Sequence, residues 1–297
     1  MPSPQHEVVV QMLESQPRPE AAPSLQESRA GFEAMAGQFG APQELRSEAT
    51  LAGGVPAEWI DMPESSPDRL VLYLHGGGYV IGSISTHRGL VARIARTSAA
   101  RGLSVDYRLA PEDPFPAAVE DAVAAYRFAL VSGFEPSKIV IAGDSAGGGL
   151  TLATLLALRD AGDPLPAAGV CLSPWTDLEG TGASALDPDT RDPMIQLEGL
   201  REMGRHYLGD ADARHPHAAP LYARYEGLPP LFLLVGTREL LYDDTTRVAE
   251  RARTAGVDVT LEVGEGLIHV WPFFGEQVPE SVASVARIGD FVRKHTS

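Results

Sequence analysis

Short apolar, β-branched runs recur along this chain and alternate with longer stretches whose apolar residues return every three or four positions. The first pattern fits strands, and the second fits helices packed on one face. The runs predict strands over about 44–49, 56–62, 69–74, 103–108, 138–142, 168–173, 231–236 and 257–263. The longer stretches predict helices over about 86–101, 117–132, 146–161, 243–255 and 277–294. Lys138-Ile139-Val140-Ile141-Ala142 and Leu231-Phe232-Leu233-Leu234-Val235 read as buried strands, whereas Val257 to Val263 alternates as a half-buried strand does. Strand and helix in turn predict an α/β fold with a mostly parallel central sheet of about eight strands and helices on both faces. No linker, repeat or low-complexity segment divides the 297 residues, so a single domain over 1–297 is expected.

Two regions stand outside this alternation. Residues 7–16 and 25–39 read as two short amphipathic helices, split by a Pro-rich stretch from Pro17 to Pro23. In the second, Phe32, Met35 and Phe39 lie at spacings of three and four, along one helical face. The stretch from Pro174 to Leu228 then interrupts the sheet pattern. Within it, the apolar residues from Leu197 to Leu208 fit a helix that faces something.

Candidate chemistry gathers at the carboxyl ends of the predicted strands, where open α/β sheets bind ligands. Gly143-Asp144-Ser145-Ala146-Gly147 joins the strand 138–142 to the helix 146–161. A serine on such a turn can be held in a strained conformation with its hydroxyl clear of the sheet. The glycines let neighbouring backbone pass, and the new helix aims free N–H groups at the space above. His75-Gly76-Gly77-Gly78-Tyr79 follows the strand 69–74, and its glycines allow backbone N–H groups to approach a developing oxyanion. A general base needs a side chain titrating near neutrality, which His269 supplies from a Gly-rich loop after the strand 257–263. The other histidines are less apt. His6 and His295 lie near the termini, and His87 and His206 fall in helix-like stretches. His75 belongs to the glycine segment with an expected structural role. His215 and His217 form an H-x-H pair without a third ligand, so no metal site is expected. For the acid, Glu239 is the first carboxylate past the strand 231–236 and is preferred to Asp243. Asp243 and Asp244 open a helix, where a cap explains them.

Together, His75-Gly76-Gly77-Gly78, Tyr107-Arg108-Leu109-Ala110-Pro111-Glu112 and Gly143-Asp144-Ser145-Ala146-Gly147-Gly148 resemble the bacterial hormone-sensitive-lipase-like esterases of the α/β-hydrolase superfamily. The resemblance runs from about Gly53 to the C-terminus. It implies the α/β-hydrolase fold and a serine carboxylesterase acting on short-to-medium acyl esters, with no cofactor. Ser145, Glu239 and His269 would form the catalytic triad, and the N–H groups of Gly77, Gly78 and Ala146 the oxyanion hole. A cap from about 1–40 and 177–227 would cover the serine. Phe32, Met35 and Tyr207 are its candidate pocket residues, with cap-to-core packing as their competing role. One departure matters: many members carry Asp-Pro-Leu where this chain reads Glu239-Leu240-Leu241, so it is similar to the subset that uses glutamate. An amidase, N-deacetylase or lactone hydrolase would use the same triad. A non-catalytic small-molecule receptor of this fold would have lost the serine or the histidine, and both are present. Members often pair through the last strand, which suggests a homodimer by way of 259–263.

Composition narrows the field further. A formal charge of −16 argues against nucleic acid as a partner and against docking on anionic membranes. Cys171 is the only cysteine and reads as a small core hydrophobe. No basic stretch followed by an apolar run opens the chain, and no run of about 18 apolar residues occurs. A cytoplasmic protein with no membrane span is therefore expected, and its small-molecule ester substrate is what the resemblance implies.

Overall fold

The computed structural model describes residues 1–15 and 23–297. Its centre is an eight-stranded sheet in the order β1-β2-β4-β3-β5-β6-β7-β8. The strands are β1 (Arg46–Ala52), β2 (Val55–Asp61), β3 (Ser66–Leu74), β4 (Ala100–Val105), β5 (Ile139–Asp144), β6 (Ala168–Leu172), β7 (Leu231–Gly236) and β8 (Val259–Gly264). β2 runs antiparallel to β1 and β4, and the other neighbours are parallel. Parallel strands need long crossovers, which the helices provide. These are α3 (Ile84–Ser98), α4 (Ala117–Val131), α5 (Ala146–Ala161) and α8 (Tyr242–Thr254), and α9 (Pro279–His295) follows the last strand and packs on α3. Two helices, α1 (Pro4–Glu14) and α2 (Leu25–Ala36), precede the sheet, and α6 (Ala183–Leu186) and α7 (Leu197–Leu208) occupy the stretch between β6 and β7.

Alternation along the strands sorts the core into two layers. Leu70, Leu72, Ile139, Ile141, Cys171 and Leu233 pack toward α4, α5 and α8. Val71, Tyr73, Val140, Val170, Phe232 and Leu234 pack toward α1, α3 and α9. Such two-sided burial explains why these strands read as continuous apolar runs. Cys171 is fully buried, and burial pushes its thiol up out of the range where it ionises. β8 closes one edge, half-exposed, with Val263 at 41% exposure.

Several boundaries differ from the expectation. α3 stops at Ser98 because Ala99 takes a left-handed conformation with φ 48°. β4 accordingly starts at Ala100 and ends at Val105, not over 103–108. Tyr107 and Arg108 leave the sheet because their side chains bond His75 O and Asp121. α2 ends at Ala36 and tightens into a 3₁₀ turn over Gly37–Phe39. Of the Pro-rich stretch expected to split α1 from α2, residues 17–22 lie outside the described residues, as does Gln16. Among the described residues, no helix is long and apolar enough to cross a membrane.

Candidate active site

Ser145 sits between β5 and α5 with φ 53° and ψ −120°, a conformation that non-glycine residues seldom adopt. Three backbone bonds impose it. Ser145 N–H donates to Leu172 O at 2.8 Å, while Ser145 O accepts from Trp175 N–H at 2.9 Å and Gly149 N–H at 3.0 Å. Gly147 is fixed by space: a Cβ there would lie 2.0 Å from Leu74 O. The turn is thus seated directly on the end of β3.

That strand end opens the glycine segment. Gly77 has φ 120° and Gly78 has φ 62°, and both face the same cavity as Ser145. Among the described residues, the N–H groups of Gly77, Gly78 and Ala146 have no protein acceptor. Free donors beside a serine hydroxyl are what an oxyanion requires. His75 does not reach the cavity. Its ring is buried and stacks on Tyr107 with centroids 4.2 Å apart, and its Nδ1–H donates to Gly76 O at 2.8 Å. Burial, assisted by the neighbouring His87, lowers its pKa to about 3, so the ring is neutral.

On the far side, His269 Nδ1 lies 2.9 Å from Glu239 Oε2. Glu239 is fully buried, and its Oε1 accepts from Ser173 Oγ at 2.8 Å and from Gly236 N–H. Ser173 Oγ in turn accepts Val270 N–H at 3.1 Å, joining the acid's loop to the base's loop. Sequence reasoning missed Ser173, a serine at the end of β6 that no motif marks. Burial pulls the His269 pKa down, but the hydrogen bond and charge of Glu239 outweigh it. With the charges of Asp192 and Asp144 adding, the net shift is upward. Tyr79, Ser145, Ser173 and Val270 account for four of the five non-glycine residues with positive φ among those described. All four border this site; stored strain of this kind clusters where geometry is over-determined.

Asp243 and Asp244 face elsewhere. Asp243 accepts Ser184 N–H at 2.9 Å, tying α8 to the stretch between β6 and β7. Asp244 is buried and accepts the N–H groups of Thr176 and Asp177, both at 2.8 Å. Burial, with the charge of Asp177, pushes its carboxyl up to about 7. The expected cap is corrected: Leu241 occupies the cap position of α8, and neither aspartate fills it. Asp192 was not foreseen. It accepts Leu240 N–H at 3.1 Å beside Glu239, and its burial raises its pKa.

Ser145 and His269 open onto a cavity of about 380 Å³. Phe32 and Met35 line it, together with Leu13 of α1, Phe273, and Met194, Leu200 and Met203 from the stretch before β7. Tyr207 was expected there, and that is corrected. It is buried at 1% exposure and stacks on Tyr79, centroids 3.7 Å apart. Met203, one turn earlier, reaches the cavity instead and touches Gly78, where a Cβ would lie 2.2 Å from its Sδ. The apolar spacing of α7 indicated a facing side, but spacing says nothing about which turn meets space and which meets protein. Among the described residues, no group of three or more His, Cys, Asp or Glu side chains is disposed to hold a metal.

Residues 71–273 match the family model described as alpha/beta hydrolase fold. An acetyl-hydrolase of Streptomyces hygroscopicus is 44% identical over 260 residues, covering 88% of this chain and 86% of that one. An esterase of Acinetobacter venetianus is 34% identical over 239 residues, covering 80% and 78%. Among solved structures, an esterase from the bacterial hormone-sensitive lipase family superposes with a TM-score of 0.96 at 47% identity, covering 100% of both chains. Another, an esterase crystal soaked with p-nitrophenyl butyrate, gives a TM-score of 0.95 at 43% identity over 99% of both chains.

Proposed function

The chain belongs to the alpha/beta hydrolase fold family, as a carboxylesterase of the bacterial hormone-sensitive-lipase type, and we propose that it cleaves short-to-medium acyl esters through an acyl-enzyme on Ser145. The observation that carries this is one cavity shared by a strained serine and by a histidine held at 2.9 Å on a buried glutamate. With Nδ1–H donated to Glu239, Nε2 of His269 is the free acceptor for the Ser145 proton. Ser145 Oγ attacks the ester carbonyl, and the oxyanion settles on the N–H groups of Gly77, Gly78 and Ala146. His269 returns the proton to the leaving alcohol. Water, deprotonated by the same imidazole, then releases the acid. Glu239 fixes the tautomer and supports the imidazolium. In this reading α1, α2 and the insertion 177–227 serve as the cap, and Phe32 and Met35 contact the acyl or alcohol group.

The test is a series of p-nitrophenyl esters from acetate upward, run beside matched acetamide and lactone substrates. A kcat/KM optimum among the shorter esters supports the proposal. Faster turnover of the amide or lactone would replace it with the corresponding hydrolase. We also propose a homodimer through β8, whose half-exposed edge leaves backbone groups free to pair. A dimer mass by light scattering at micromolar concentration is expected, and a monomer mass would contradict it.

A further inference from the structure

The segment Tyr107-Arg108-Leu109-Ala110-Pro111-Glu112 takes no part in the chemistry above, yet it meets the glycine segment at two points and the next residue, Val80, at a third. Tyr107 Oη donates to His75 O at 2.6 Å, and Ala110 N–H donates to Tyr79 O at 2.9 Å. The third contact runs through Arg29 on α2. Its Nε donates to Val80 O at 2.9 Å, and its Nη2 donates to Ala110 O at 3.2 Å. Glu112 holds the guanidinium at both ends, with Nη1 2.9 Å from Oε1 and Nη2 2.8 Å from Oε2.

Arg29 is the only donor to these two carbonyls among the described residues, and both belong to buried residues. A buried carbonyl stripped of its donor shifts to find another. Val80 has little room to shift without consequence. Val80 N–H and Ile81 N–H both donate to Gly77 O, at 3.1 and 2.9 Å, so the turn from Gly77 to Ile81 moves as one piece. Arg29 also sits one turn before Phe32 on α2, and Phe32 lines the cavity.

We propose that Arg29 is a positioning residue: it locks the N-terminal helix α2 to the Gly77–Val80 turn and so sets the oxyanion donors. This rests on the reading of Gly77 and Gly78 as those donors. The Arg29 guanidinium holds the Glu112 carboxyl low, at about 2, so that carboxylate stays charged wherever His269 is neutral.

The test uses Arg29→Ala and Arg29→Lys, with p-nitrophenyl acetate as substrate and an alkyl trifluoromethyl ketone as probe. Ser145 Oγ adds to the ketone carbon, its proton passes to His269, and the carbonyl oxygen becomes the oxyanion. Arg29→Ala is expected to lower kcat by on the order of tenfold, with KM within about twofold, and to weaken the ketone in parallel. Arg29→Lys places a single donor nitrogen where two spaced ones serve Val80 O and Ala110 O, and should recover only part of kcat. Circular dichroism of both variants at the wild-type melting profile confirms that folded protein is compared. A kcat and ketone affinity unchanged in Arg29→Ala would overturn the positioning role. So would a change confined to KM for long-chain esters, which is what a loosened Phe32 wall alone would produce. Wild-type enzyme that turns over esters but fails to form the ketone adduct would overturn the oxyanion reading itself, and the role of Arg29 with it.

Discussion

The two walls of the cavity are built by different rules. The inner wall comes from the segments after β3, β5 and β8, backed by the ends of β6 and β7, and there backbone touches backbone. No methyl fits at Gly147, Glu239 is fully buried, and of the strained residues Ser145 and Val270 line the space while Tyr79 and Ser173 lie buried behind it. The outer wall comes from α1, α2 and α7, and it presents Leu13, Phe32, Met35 and Met203. It is fastened through a handful of polar ties such as Arg29 to Val80 O, Asp192 to Leu240 N–H and Asp243 to Ser184 N–H. Methionine side chains adapt to many shapes, whereas a strained serine on a packed turn adapts to none. Under the proposed mechanism, reaction falls to the inner wall and selection to the outer one.

Changes on the inner wall should therefore abolish turnover without touching preference. Ser145→Ala is expected to cost ~10⁴-fold or more in kcat while the melting profile is retained. Retained activity in a folded variant would break the comparison outright. Glu239→Gln should come next, at about 10⁴-fold in kcat at pH 8, because the amide removes the charge that supports the imidazolium. Asp243→Asn should keep most activity, since Asp243 faces Ser184 and not His269. The reverse ranking would move the acid to Asp243.

The pH profile sharpens the same point. In the proposed mechanism the neutral imidazole is the active form, and its pKa is raised, chiefly by Glu239 after burial is overcome. The acid limb of kcat/KM should then lie above the ordinary histidine range and level off in mild alkali. In Glu239→Gln the residual activity should show that limb moved to lower pH. A limb at the same position in both enzymes would deny the coupling.

How far the sequence carried the reading follows the same division. The inner wall is dictated locally. Continuous apolar runs mark strands buried on both faces, and a glycine-flanked serine at a strand end has few other conformations open to it. Ser145, Glu239 and His269 could therefore be expected together from position along the chain, and the structure puts Ser145 and His269 on one cavity with His269 bonded to Glu239. Ser173 could not, because its bonds to Glu239 and Val270 N–H join segments far apart in sequence. The outer wall is dictated by docking. Phe32 and Tyr207 both fell on apolar helical faces, yet one reaches the cavity and the other stacks on Tyr79. Asp243 and Asp244 misled for a related reason. Two acids in the first turn of a helix look like caps until their partners in the insertion are seen.

Smaller effects belong to the outer wall. Tyr207→Ala removes a buried ring stacked on Tyr79 and should cost about 3–5 kcal/mol of stability, measured by urea unfolding. Tyr207→Phe should cost little, because its hydroxyl has no partner among the described residues. Phe32→Ala and Met203→Ala should lower kcat for p-nitrophenyl acetate by no more than about tenfold and move the preferred chain length upward. A preference unmoved by both would place selection elsewhere.

The division of labour stands on one covalent bond. Brief reaction of the enzyme with p-nitrophenyl butyrate, acid quench and peptide mapping by mass spectrometry will locate the acyl group. The butyryl mass should appear on the peptide containing Ser145 and vanish in Ser145→Ala. A butyryl group on any other residue, or one that persists in Ser145→Ala, would contradict the account.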